Sequence, residues 1–134
     1  MTPFFDTDVI VCAFLDVARR ERAVDLIASG GVISAQVLNE FTNVARRKRE
    51  RHWADIERAV SVIRARFPEV MPLTADTHAA ALVLARDHGL AFYDALIVAS
   101  AIEAECDILY SEDMQHGRSI GGLTIVNPFI ESAP

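Results

Sequence analysis

Short apolar runs alternate along this chain with amphipathic stretches, and polar or Gly-bearing punctuation separates them. Pro3–Asp6 reads as a short strand ending in a carboxylate. Asp16 is placed to cap a helix running through Ser29, which Gly30-Gly31 stop. Gly31–Ser34 reads as a brief buried strand, after which Ser34 caps a helix to about Arg49. Trp53–Phe67 continues with helical spacing up to Pro68, Glu69–Leu73 is strand-like, and Thr74 caps a helix that ends at His88-Gly89. Tyr93–Glu105 is alanine-rich and apolar around most of its circumference, the pattern of a helix buried on most sides. Asp107–Tyr110 and Leu123–Val126 are the last strands, with the polar loop Ser111–Gly122 between them. Short strands separated by helices predict an α/β protein: a three-layer α/β/α arrangement around a parallel sheet of about five strands.

At 134 residues the chain fits one domain, expected to run over 1–134. Apolar residues at 51% and charged residues at 24% exclude a disordered chain. The longest uncharged apolar stretches, Val9–Leu15 and Ala95–Ile102, fall far short of the ~18–20 residues of a membrane span. Asp6 and Asp8 interrupt the first apolar segment and no Lys or Arg precedes it, so no leader is expected and the cytoplasm is the expected location. Cys12 and Cys106 lack zinc-finger spacing and read as buried free thiols in a reducing compartment.

The net charge of −6 argues against a nucleic-acid partner until its distribution is considered. Residues 43–66 carry a local charge of +5, whereas the rest of the chain carries −11. A basic segment on an acidic body can hold a polyanion beside an acidic site, although a solvated helix face has the same composition.

In a parallel α/β sheet, sites form outside the carboxyl ends of the strands. There the first strand delivers Asp6, and the strand ending at Tyr110 delivers Ser111, Glu112 and Asp113. Asp94 lies in the first turn of the apolar helix, where the macrodipole favours the ionised carboxylate that metal ligation needs; the plainer reading is a helix cap. Glu40 falls at the edge of the apolar face formed by Val37, Leu38, Phe41, Val44 and Ala45, while Asn39 points away. Asn43 and Arg47 continue that edge toward the basic run. A carboxylate there needs a neutralising partner unless it reaches out to solvent. Should Asp6, Glu40, Asp94 and Asp113 converge, each pair ~4 Å apart repels by about 4 kcal/mol at an effective dielectric of ~20. Such a cluster either shares protons or binds a cation, and an all-oxygen donor set selects a hard one, Mg²⁺ or Mn²⁺. Phosphodiester hydrolysis, with the cation neutralising charge on the transferring group, is the chemistry that follows.

Four segments, in order, carry a family resemblance: Phe4-Phe5-Asp6-Thr7, Val37-Leu38-Asn39-Glu40-Phe41, Tyr93-Asp94-Ala95-Leu96-Ile97 and Leu109-Tyr110-Ser111-Glu112-Asp113. Gly122–Phe129 adds to them. The sequence resembles the PIN-domain family over essentially its whole length, and within it the VapC-type toxins of prokaryotic toxin–antitoxin pairs. The resemblance implies a parallel sheet of about five strands between helices, and Mg²⁺- or Mn²⁺-dependent endoribonuclease cleavage of single-stranded RNA. By the same resemblance Asp6, Glu40 and Asp94 are the core acidic residues, Asp113 the fourth, and Ser111 the hydroxyl that orients them. Asp6 and Asp94 would hold the metal directly, Glu40 and Asp113 through water or a second ion. It further implies a homodimer and a cognate antitoxin whose tail occupies the acidic groove. Asp8 departs from the family, which usually has a small polar residue there. It is either an additional ligand or an added negative charge, and a peripheral role is expected of it.

RNA contacts are expected from Asn43, Arg46, Arg47, Lys48, Arg49 and Arg51. His116 follows Asp113 by three residues but sits in a polar loop and reads as exposed, and His52, His78 and His88 read as surface residues. Trp53 either stacks on a base or anchors its helix. Ser34 suits a cap better than a nucleophile. Two other functions compete. Asp6-Thr7-Asp8 at a strand end resembles the motif of haloacid-dehalogenase-like phosphatases, with Asp6 as nucleophile, but the single Lys48 lies in a helix before the third strand. A non-catalytic PIN-like module that binds RNA or protein is the other alternative.

Overall fold

The computed structural model describes residues 2–130; Met1 and residues 131–134, the ends of the expected domain, lie outside the described residues. Elements follow in the order β1 (Pro3–Phe5), α1 (Thr7–Leu15), α2 (Arg20–Ile27), β2 (Ile33–Ser34), α3 (Ala35–Asn43), a π-turn (Val44–Lys48), α4 (Trp53–Arg66), β3 (Val70–Met71), α5 (Ala75–His88), α6 (Phe92–Glu103), β4 (Ile108–Tyr110), β5 (Ser119–Ile120) and β6 (Leu123–Val126). The central sheet has the order β1-β4-β6-β5. β1, β4 and β6 run parallel, while β5 pairs antiparallel with β6. β2 and β3 form a second parallel pair, tied to β1 by the bridge between Phe4 and Val32. The expected mixed α/β fold, a largely parallel sheet flanked by helices, is therefore present.

Local signals at several helix ends act as expected. The Ser34 hydroxyl accepts from Val37 N–H at the start of α3. Thr74 and Thr77 form a reciprocal capping box on α5, which ends at Gly89 with φ +65°, a left-handed conformation that suits glycine. Two expectations need correcting, and one helix lies where the sequence pattern assigns no element. Asp16 does not open a helix; it ends α1, and its Oδ1 accepts Ala18 N–H at 3.0 Å in a tight turn, so α2 begins only at Arg20. The helix at Thr7–Leu15 has no amphipathic period because it is buried on several sides: Val9, Ile10, Cys12, Ala13 and Leu15 are all in the core. The loop Ser111–Gly122 contains β5, a two-residue strand too short to leave a pattern.

Phe4, Phe5, Ile33, Val37, Phe41, Ile97, Leu109 and Ile125 fill the core between sheet and helices. Phe5 packs its ring between Phe67 and Tyr110, with centroids 5.7 and 5.6 Å away. Ala81, Ala95, Leu96 and Ala99 join α5 to α6 in a smaller cluster, in which the three alanines let the two helices approach. Both cysteines are buried and free, as expected. Among the described residues no helix is long and apolar enough to cross a membrane.

Candidate active site

The register of the central sheet sets the site. Phe5 pairs with Tyr110 and Tyr110 with Val126, so the carboxyl ends of β1, β4 and β6 finish side by side. The residues just beyond them, Asp6 and Ser111, then meet: Asp6 N–H donates to Tyr110 O at 3.0 Å, and the Ser111 hydroxyl donates to Asp6 Oδ2 at 2.7 Å. Asp6 is also the N-cap of α1, its Oδ1 accepting Thr7 N–H at 2.7 Å. Burial pushes its carboxyl well above the usual range, helped by the charges of Asp8 and Glu40 and opposed by the hydrogen bonds from Ser111 and Thr7.

Glu40 arrives from α3. Its Oε1 accepts the Thr7 hydroxyl at 3.1 Å and its Oε2 accepts the Gln36 amide at 2.9 Å, so both oxygens are held. It therefore turns toward the site rather than out to solvent. Asp94 sits in the first turn of α6, whose N-cap is Ala91, so it is not the cap. Partial burial raises its carboxyl, and the charges of Glu40 and Asp113 raise it further.

Asp8 takes a position the sequence pattern did not foreshadow. Its Oδ2 accepts Glu112 N–H at 2.9 Å, Asp113 N–H at 3.2 Å and the Ser111 hydroxyl at 3.5 Å, tying α1 to the segment after β4. Its Oδ1 is buried with no hydrogen-bond partner among the described residues. Burial lifts its carboxyl to about 7, against the lowering by those two amides. Asp8 thus lines the same cleft as Asp6, Glu40, Asp94 and Asp113.

Asp6, Asp8, Glu40, Asp94 and Asp113 line one cleft of about 500 Å³, together with Thr7, Asp16, Arg19, Lys48, Arg49 and Glu112. The four carboxylates singled out in the sequence do share a site. They line its walls rather than meeting at a point: among the described residues no three His, Cys, Asp or Glu side chains stand in a ligating group. Their mutual repulsion opposes a tighter cluster. The donor set fits a hard divalent cation, being all oxygen, and the partnerless, buried Asp8 Oδ1 marks a place where positive charge is wanted.

The basic run is divided by its surroundings. The Arg46 guanidinium lies 4.8 Å above the exposed Trp53 ring and donates to Arg51 O. Arg49 donates to Leu15 O at the end of α1 while reaching the cleft. Lys48 also lines the cleft; Asn43, Arg46, Arg47 and Arg51 do not. Arg51 lines a small cavity with Phe14, Phe41 and Ile56 instead. His116 is exposed, its Nδ1 accepting Asn127 N–H at 2.9 Å, and it stays outside the cleft.

Four cleft features are absent from the sequence reading: the Thr7 hydroxyl, Gln36, Arg19 and the clamp made by Asp8. Gln36 lies four residues before Glu40 on the same helix, a spacing that could have signalled it. Arg19 pairs with Glu112 at 2.5 Å and Asp16 at 3.6 Å and lies 4.6 Å above the Phe129 ring. The Asp16 contact is a local i,i+3 pair, whereas nothing local announces the contacts to Glu112 and Phe129, which join distant parts of the chain.

The fold and the cleft together define an α/β domain whose acidic site lies at the carboxyl ends of its central strands. Residues 4–118 match the family model of the PIN domain, and the chain belongs to the PIN-domain family. No protein of curated function matches it. Among the solved structures that share its fold are the following three. A toxin–antitoxin complex from Klebsiella pneumoniae gives a TM-score of 0.73 at 19% identity, covering 96% of this chain and 98% of that one. The sarcin–ricin-loop-cleaving toxin VapC20 of Mycobacterium tuberculosis gives 0.71 at 22% identity, covering 84% and 90%. VapBC2 of Rickettsia felis, bound to a DNA fragment from its promoter, gives 0.67 at 19% identity, covering 93% and 97%.

Proposed function

We propose that this protein is a Mg²⁺- or Mn²⁺-dependent endoribonuclease that cleaves single-stranded RNA, and that it is the toxin of a toxin–antitoxin pair. The observation that carries the reading is the gathering of five carboxylates, Asp6, Asp8, Glu40, Asp94 and Asp113, from four places in the chain into one cleft. The names of the structural neighbours, a toxin–antitoxin complex and an RNA-cleaving toxin among them, support the toxin assignment. A cognate antitoxin and a second copy of the chain are the partners the reading implies.

Asp6, Asp94, Glu40 and Asp113 would hold the cation. When bound, it supplies charge neutralisation at the phosphate and activation of the attacking water. The chain's own groups prepare the site. Ser111 and Thr7 N–H fix both oxygens of Asp6, and Gln36 and the Thr7 hydroxyl fix both of Glu40, so little reorganisation accompanies reaction. Asp8 anchors the backbone that carries Asp113. Lys48, Arg49 and Arg19 place positive charge on the cleft walls, where a polyanion would otherwise meet only carboxylates. The phosphatase alternative needs a lysine on a loop after a later strand, whereas the single Lys48 lies in the helical segment before β3.

The test is incubation of purified protein with a panel of single-stranded RNAs. Cleavage is expected with Mg²⁺ or Mn²⁺ and is expected to disappear with EDTA, or in Asp6→Asn and Asp94→Asn. Binding without cleavage across the panel, equal in wild type and variants, would establish the non-catalytic alternative.

A further inference from the structure

Glu40 and the basic run share one continuous helical segment, so the phase of that segment decides which cation reaches the cleft. In an unbroken α-helix each residue turns ~100°, and position i+7 returns to within ~20° of position i. Arg47 would then stand on the side of Glu40, with Lys48 about 80° away. The segment is not unbroken. From Val44 to Lys48 it forms a π-turn, closed by Arg49 N–H to Val44 O at 3.1 Å, and the segment ends on the wider bond from Arg51 N–H to Ala45 O at 3.0 Å. A π-turn fits an additional residue into one turn, so the side chains after it lag in phase. The outcome is that Lys48 and Arg49 line the cleft with Asp6, Glu40 and Asp94, and Arg47 does not.

Of the three cations in the cleft, two are already engaged. Arg19 pairs with Glu112 and Asp16, and Arg49 donates to Leu15 O. The Lys48 side chain has no hydrogen bond or ion pair among the described residues. An ammonium on a flexible stem is a compact charge with three donors and suits the non-bridging oxygens of a phosphate.

Resting on the ribonuclease reading, we propose that Lys48, aimed by the π-turn, is the residue that receives a backbone phosphate of the RNA strand at the cleft. It is a substrate-binding cation specific to this helix phase, and Arg47, the neighbour that an unbroken helix would select, does not take its place.

The experiment uses the full chain with Asp94→Asn to silence cleavage, a short labelled single-stranded oligoribonucleotide, constant Mg²⁺, and fluorescence anisotropy between 50 and 200 mM salt. One lost phosphate contact on a single strand lowers the slope of log K against log salt by about 0.7. Lys48→Met is expected to show that drop together with weaker binding, and Lys48→Arg to restore the slope. Unfolding curves of each variant establish that the fold is retained. An unchanged slope in Lys48→Met overturns the inference, and so does a larger drop in Arg47→Met. If the wild-type chain cleaves RNA while Lys48→Met keeps the parental slope, only the role of Lys48 fails. If the wild type neither binds nor cleaves RNA, the ribonuclease reading fails and this inference with it.

Discussion

Asp8 offers the sharpest test of the cleft's electrostatics, because its carboxyl is displaced to about 7 with burial as the main cause. An exposed aspartate in the unfolded chain ionises near ~3.9. Between those two values the folded protein holds a proton that the unfolded chain has released, so stability falls as pH rises through this window. The contribution is fully present below about pH 4 and gone above about pH 7. At 1.36 kcal/mol per unit, the displacement amounts to about 4 kcal/mol at most. Asp8→Asn removes the ionisation while leaving an acceptor for the amides of Glu112 and Asp113. It also relieves Asp6, whose carboxyl is raised in part by the charge on Asp8, so the two effects act in the same direction without adding simply. Urea unfolding in EDTA, from pH 4.5 to 8.5, is the assay. The wild type should lose stability steadily across this range, and the variant should lose less, ending more stable than wild type above pH 7. Each kcal/mol corresponds to about 3–4 °C in Tm for a chain of this size. Millimolar Mg²⁺ should stabilise the wild type most at high pH, where the carboxylates are ionised. Parallel stability curves for wild type and Asp8→Asn would refute the reasoning, since no proton would then be taken up at Asp8 on folding.

Two other substitutions probe how the carboxylates are held. Gln36→Met keeps the length of the side chain but removes the donor to Glu40 Oε2; Mn²⁺ affinity, followed by calorimetry, should fall about 10–100-fold with little change in Tm. Ser111→Ala deletes the 2.7 Å bond to Asp6. It should lower stability by about 2 kcal/mol at pH 8, where the carboxylate most needs its donor, and by less at pH 5; equal losses at the two pH values in urea unfolding would mean that the bond does not favour the charged form.

Short-range chemistry wrote much of this molecule into its sequence. The caps at Ser34 and Thr74 and the stop at Gly89 are local hydrogen-bond and φ requirements, visible wherever those residue types fall at a helix end. Asp6 and Asp94 were legible because a strand end and a helix first turn each give a carboxylate a physical reason to be there. Glu40 was legible from its place at the edge of an apolar face. Tertiary structure decided the rest. α1 was hidden because a helix buried on several sides loses the periodicity that marks one buried on a single face. Asp8 became part of the cluster only when the amides of Glu112 and Asp113, more than a hundred residues away, came to rest on its carboxylate. The π-turn, after which Lys48 rather than Arg47 lines the cleft with Glu40, follows from how the chain closes after α3, and no local residue pattern records that phase.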